Sequence, residues 1–242
     1  PYNPGMSGCR VSKMHDGAPE VVGSLKIWNR IGKATGADAI SLRILEFEPG
    51  TSPALRNDEY DEVLYVLEGS CTVVIDGNAY HVGPETGVYV RPGQTLSVEN
   101  PGPDVVRIVS SQSPATPSNA REQSPPIVKL SDRRALPTAD RWYRVLVDDE
   151  VGSEQVTQFV GSIPPGRAPD HFHEYEEVLF ILRGEGRMWA GEDNTPIGPG
   201  SCIYLPRRQV HCVENTGVGE LRLLGVFYPA GSPAVRYETN LP

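Results

Sequence analysis

Glu174-Tyr-Glu-Glu-Val-Leu-Phe-Ile-Leu-Arg-Gly184 repeats Glu59-Tyr-Asp-Glu-Val-Leu-Tyr-Val-Leu-Glu-Gly69 at a distance of 115 residues. The same displacement carries Gly83-Pro84 onto Gly198-Pro199, Tyr89 onto Tyr204, and Val98-Glu99-Asn100 onto Val213-Glu214-Asn215. One constant shift through separated segments marks a duplicated domain, since solenoid repeats run only to about 50 residues. Each copy reads as short strands. In the first they are Ala39–Phe47, Glu62–Leu67, Cys71–Ile75, Gly87–Val90 and Val105–Val109, with a hairpin-type turn at Asp76-Gly77. In the second they are Gln155–Ile163, Val178–Leu182, Arg187–Ala190, Cys202–Leu205, Val210–Val213 and Leu221–Phe227. No segment carries a long 3.6-residue apolar stripe, and 25 Gly and 23 Pro punctuate the 242 residues at turn-like spacing. The expected class is all-β, with two tandem antiparallel barrels or sandwiches. The expected organisation is a tail over 1–24, a first barrel over 25–112, a linker over 113–127 and a second barrel over 128–242. The linker falls in the Ser- and Pro-rich stretch Ser111–Pro126.

A net charge of −9 leaves no basic excess to displace counterions from a polyanion, so no nucleic-acid partner is expected. No run approaches the roughly 18 apolar residues of a membrane-spanning helix, so no membrane partner is expected either. Cys9, Cys71, Cys202 and Cys212 show no CxxC spacing. They read as small buried hydrophobes in a reducing compartment, hence an expected cytoplasmic location.

Chemistry concentrates in the second copy. His171 and His173 are two residues apart, so on an extended strand both aim at one face. Glu177, Leu179 and Ile181 continue that face, and His211 arrives from another strand. Three imidazoles and one carboxylate converging inside a barrel suit a first-row divalent metal. Three of the chain's 5 histidines fall in this pattern. His15 and His81 read as structural, and alternation turns Cys212 away from the interior while Val213 points back in. At the constant displacement Arg56, Asp58 and Leu96 replace His171, His173 and His211, and only Glu62 persists. The first copy therefore reads as metal-free, structural or a ligand pocket, with Glu62 paired to Arg56.

These residues resemble the two motifs of the cupin superfamily. His171-x-His173-x3-Glu177-x6-Gly184 matches the first, and Gly200, Pro206, His211 and Asn215 match the second, where Arg208 stands in place of a glycine. The chain is thereby similar to a bicupin: two tandem cupin, jelly-roll-like barrels, the first degenerate and the second metal-bearing. The resemblance implies one divalent metal per chain, with Fe, Mn, Ni or Co favoured over Zn. Four protein ligands close a tetrahedral zinc site but leave a six-coordinate ion two open positions. It also implies a small-molecule substrate and a possible homodimer. The expected function is a metal-dependent enzyme acting on a small carboxylate or enolisable oxygenated molecule, foremost an oxygenase-type oxidoreductase (dioxygenase). The alternatives are a non-redox isomerase, lyase or decarboxylase, or a non-catalytic ligand-binding cupin. Leu179, Ile181, Val213, Arg167 and Arg187 are the candidate pocket residues. The two arginines could bind a carboxylate or be plain surface residues.

Overall fold

The computed structural model describes residues 8–115 and 125–235, together with the backbone of 237–238. Residues 116–124, most of the segment read as a linker, lie outside the described residues. The fold is all-β, and its sheets pair antiparallel throughout. Each copy forms one seven-stranded sheet backed by a smaller one. Besides the expected strands there are Leu25–Ile31, Asn78–Val82, Thr95–Asn100 and Arg141–Val147.

The repeated runs explain the architecture. Strand Tyr60–Glu68 and strand Glu176–Arg183 are buried on both faces, which is why they read as nearly unbroken apolar runs rather than alternating ones. Leu64 and Val66 point into the first barrel, Leu179 and Ile181 into the second. Val63, Tyr65, Val178 and Phe180 point the other way, into a third core between the two seven-stranded sheets. The two barrels are therefore joined by a core of their own.

Alternation also splits the acidic pairs. Glu177 faces the interior of its barrel, whereas Glu176 faces the first barrel and is 1% exposed. Glu176 accepts from the backbone N–H groups of Asp38, Ala39 and Ile40 and from the Tyr204 hydroxyl at 2.7 Å. At the same displacement Asp61 accepts from the Tyr89 hydroxyl at 2.6 Å. Burial pushes the Asp61 carboxyl above its ordinary range. A buried carboxylate is tolerated here because hydrogen bonds replace its water.

Segments also cross between barrels. Arg10–Lys13, in the stretch read as a tail, adds an edge strand to Ser201–Leu205 of the second barrel and carries Cys9 into that barrel's core. Ile127–Lys129 pairs with Thr86–Val90 of the first barrel. All four cysteines are buried and free of disulfides. His15 meets Trp28 at 4.7 Å and Glu46 at 3.4 Å, a packing and pairing role. No helix among the described residues is long and apolar enough to cross a membrane.

Candidate metal centre

His171 lies on the short strand His171–Phe172, which pairs with His211 at the start of His211–Asn215. His173 follows in the next loop, and Glu177 is the second residue of the buried strand Glu176–Arg183 in the larger sheet, opposite Leu205. The ligand atoms of His171, His173 and His211 all lie within 4.8 Å of one another. Glu177 Oε2 is 3.7 Å from His211 Nε2 and 3.9 Å from His173 Nε2.

The orientation of the rings is fixed from behind. Each Nδ1 faces a backbone carbonyl: Pro169 at 3.2 Å for His171, Val235 at 2.9 Å for His173, Gln209 at 2.7 Å for His211. A carbonyl only accepts, so each Nδ1 carries the proton and each Nε2 bears the lone pair. This is the outer-shell arrangement that prepares imidazoles for a metal. Burial, then the neighbouring His171 charge, pulls the His211 pKa well below its ordinary value, keeping the ring neutral. Glu177 Oε2 is buried without a hydrogen-bond partner, and burial pushes its carboxyl up to about 8. Three imidazole lone pairs and the orphaned Glu177 oxygen form a donor set suited to a divalent cation.

Two backbone features hold the second motif in place. Arg208 adopts φ 63°, the left-handed conformation that Gly93 takes at φ 81° in the first barrel. The turn before His211 thus survives the loss of its glycine, tied by Arg208 N–H to the His173 carbonyl at 2.8 Å. Asn215 donates to the Ile163 and Gly219 carbonyls, as Asn100 does to Phe47 and Asp104.

A cavity of about 80 Å³ opens over the four residues. That is several times the roughly 10–15 Å³ one water needs, so a small molecule fits beside the centre. Leu179 and Val213 line it. Ile181 does not; one pleat further down, it is fully buried in the barrel core. Arg167 and Arg187 do not line it either, as the surface alternative expects. On strand Gly186–Ala190 the buried residues Gly186, Met188 and Ala190 alternate with Arg187 and Trp189, which face outward. Arg187 bonds Asn194, and Arg167 lies 3.8 Å over the Trp189 ring with Asp170 at 3.3 Å. Arg167 Nε also donates to Cys212 Sγ at 3.4 Å, which places that thiol on the outer face, away from the imidazoles.

The cation that does line the cavity is Arg141, on the unforeseen strand Arg141–Val147. Its side chain is 12% exposed, and among the described residues its Nε meets only the solvent-facing Asp140 at 3.3 Å. Phe159 and Phe227, with ring centroids 4.9 Å apart, form an apolar wall, and Pro233 closes one side. Pro233 belongs to a C-terminal segment in which Val235 holds His173, Ser232 meets Tyr175, and Tyr237–Glu238 pairs with His171–Phe172. Arg141 sits 30 residues before His171 on a strand whose burial does not alternate, and no local pattern flags it. The C-terminal segment has no apolar periodicity, so its role is equally silent in the sequence.

In the first barrel Glu62 is held by Arg43 at 2.8 Å, by the Ser110 hydroxyl at 2.6 Å and by Gln112 at 3.3 Å. Arg56 pairs with Asp58 at the surface, and the pairing with Glu62 expected from the sequence is corrected. Arg43 reaches Glu62 across the intervening strand that carries Ser110, whereas Arg56 is more than half exposed at the rim.

Residues 43–111 and 159–227, together more than half of the chain, match the profile of a family described as Cupin domain. Auxin-binding protein 1 of Arabidopsis thaliana is 31% identical over 86 residues, 31% of this chain and 43% of that protein. The oxalate-binding protein of Thermotoga maritima is 36% identical over 67 residues, 27% of this chain and 55% of that protein. The chain thus spans about half the length of the curated relatives it matches. Among solved structures, a protein of Pseudomonas aeruginosa described as glyoxylate-induced superimposes with a TM-score of 0.79 at 17% identity, covering 93% of this chain and 91% of that one. Oxalate decarboxylase of Bacillus subtilis gives 0.76 at 14% identity, covering 95% and 79%. These two share the fold.

Proposed function

Because the chain belongs to the cupin domain family, we propose that its second barrel is the site of a metal-dependent enzyme acting on a small carboxylate. His171, His173, His211 and Glu177 would hold one divalent transition metal. The observation that carries this is the set of three Nδ1–carbonyl bonds, which turn three Nε2 lone pairs toward one another beside the unpartnered Glu177 oxygen. Bound there, such an ion supplies Lewis-acid polarisation and, if redox-active, electron transfer.

The residues of the chain supply the rest. Arg141 binds the substrate carboxylate, because its terminal nitrogens, which donate to no described residue, form a planar fork that matches two oxygens. Phe159, Phe227, Leu179 and Val213 exclude water and raise the strength of every charge interaction inside. Arg141 and the centre together orient the substrate between a cation and the metal ligands. Besides Arg141 and the four candidate ligands, Tyr143 is the one ionisable residue among the described lining residues. A reaction needing a strong protein acid is poorly served by that set. Oxidative cleavage, which takes its oxidant from dissolved oxygen, is therefore the leading reaction. Decarboxylation is the second reading, suggested by the oxalate decarboxylase fold neighbour and the oxalate-binding relative.

The test is metal analysis of protein purified without chelator, followed by an oxygen-electrode and carbon-dioxide screen over oxalate, keto acids and enolisable acids. One metal per chain is expected, with turnover of at least one carboxylate that Arg141→Gln slows roughly 10–150-fold through a raised KM, the loss of one or two charge-assisted hydrogen bonds. Near two metals per chain, or carboxylate turnover indifferent to Arg141, would refute this reading.

A further inference from the structure

We propose that the first barrel binds a small carboxylate without any metal, in the cavity that stands where the second barrel has its metal centre. That cavity, about 160 Å³, is bounded by Arg43, Arg56, Arg91, Tyr60, Gln94 and Glu62, with Leu96 at the position of His211. Its wall holds three guanidiniums and one carboxylate, with Arg56 also paired to Asp58 at the rim.

Strand register shows how the charge arose. Arg43 pairs with Ser110, and Ser110 with Leu64. In the second barrel Phe159 pairs with Gly225, and Gly225 with Leu179. Gln112 opposes Glu62 as Phe227 opposes Glu177. Three inward positions therefore read Arg43, Ser110 and Gln112 in one barrel, and Phe159, Gly225 and Phe227 in the other. The polar set grips the acid that the apolar set leaves for a cation. A protein cation has replaced the metal ion, and unlike a metal it leaves donors to spare.

The residues that carry those donors line the cavity. Arg43 uses one terminal nitrogen on Glu62 and Ser110. Arg56 commits its Nε to Asp58, and no other described residue accepts from its two terminal nitrogens. Gln94 spends its carbonyl on the Arg91 N–H, which leaves its amide N–H₂ for a ligand. Guanidiniums and an amide around a small polar void match the planar, two-oxygen geometry of a carboxylate. Glu62, already bonded three ways, repels a second anion less than a bare carboxylate would.

The experiment is isothermal titration of the full chain carrying Arg141→Gln and stripped of metal by chelator, so that neither the second cavity's cation nor a metal can hold the anion. Oxalate, acetate and inorganic phosphate are the three titrants. Oxalate is expected to saturate at one per chain and to bind more tightly than phosphate. Arg56→Gln, a surface change, should weaken it about tenfold, the worth of one charge-assisted bond. Arg43→Met alone would strand Glu62, so Arg43→Met is paired with Glu62→Met, a swap of a buried ion pair for apolar volume that preserves folding. That pair should abolish binding while far-UV circular dichroism stays unchanged. No saturation by about 10 mM oxalate, tighter binding of phosphate, or unaltered affinity in both variants would overturn the proposal.

Discussion

Phe159→Arg should convert the second barrel toward the first and expel its metal without touching a ligand. Phe159 occupies the register position of Arg43, and Gly225 opposite it leaves space: a Cβ there would stand 2.2 Å from Phe159 Cζ. With the slimmer guanidinium side chain in that slot, the Arg43–Glu62 contact of 2.8 Å gives the distance at which the introduced guanidinium would meet Glu177. Hydrogen bonds to a charged group are worth about 1.5–3 kcal/mol, so the carboxylate would have to be taken back from its new partner at a cost of about 10- to 150-fold in metal affinity. Repulsion between guanidinium and cation adds in the same direction. The measurement is metal content after dialysis, with affinity from competition against a fluorescent chelator and folding followed by far-UV circular dichroism. A folded variant whose affinity stays within about threefold of the parent, under about 1 kcal/mol, would show that this register argument misplaces the charge.

Three further outcomes are expected. Glu176→Ala leaves three backbone N–H groups and the Tyr204 hydroxyl without their acceptor. At about 3–5 kcal/mol for a broken buried charge network, calorimetry should show a Tm lower by roughly 6–20 °C; a fall under about 2 °C would mean that loop 37–40 is held by other contacts. Metal affinity should rise with pH and then level off. Glu177, pushed up to about 8 by burial, is protonated in the metal-free protein at neutral pH. Binding therefore releases one proton, and the affinity gains about tenfold per pH unit below that value and little above it. A flat profile from about pH 6 to 8 would show that metal binding releases no proton from a carboxyl raised by burial. Cys212→Ser should leave metal content unchanged, because its thiol lies on the outer face with Arg167; a metal–sulfur distance near about 2.3 Å in an absorption spectrum would contradict that.

What is legible in the sequence is what periodicity and spacing encode. The repeated Glu-Val-Leu runs disclose the duplication and the all-β class, and His171-x-His173 with Glu177 and His211 picks out residues the fold brings within a few ångströms. Alternation alone assigns Cys212 to the outer face. The misses share one cause: sequence neighbourhood stands in for spatial neighbourhood. Arg167 and Arg187 adjoin the motif but point outward by the pleat, whereas Arg141 reaches the cavity from a strand 30 residues away. Glu62 draws Arg43 across the sheet rather than Arg56 along the chain. The strands Arg10–Lys13 and Ile127–Lys129 stay hidden because edge strands that cross to another barrel are short and carry only one or two apolar residues.

The two barrels also differ in how they accommodate a buried glutamate. Removing three histidines from around a buried glutamate would leave an unpaired charge in low dielectric, a state that costs several kcal/mol. The first barrel avoids it through Arg43, Ser110 and Gln112, which lie 19, 48 and 50 residues from Glu62 in sequence yet within hydrogen-bond reach. Conversely, the second barrel keeps Phe159, Gly225 and Phe227 at those positions, so none of these three competes with a cation for Glu177. On the proposed ligand set, two groups of residues would decide whether a barrel of this chain can hold a metal. The histidines provide the lone pairs, and the absence of a resident guanidinium leaves the carboxylate available. A His-x-His motif restored in the first barrel alone would still face a glutamate whose charge is already neutralised.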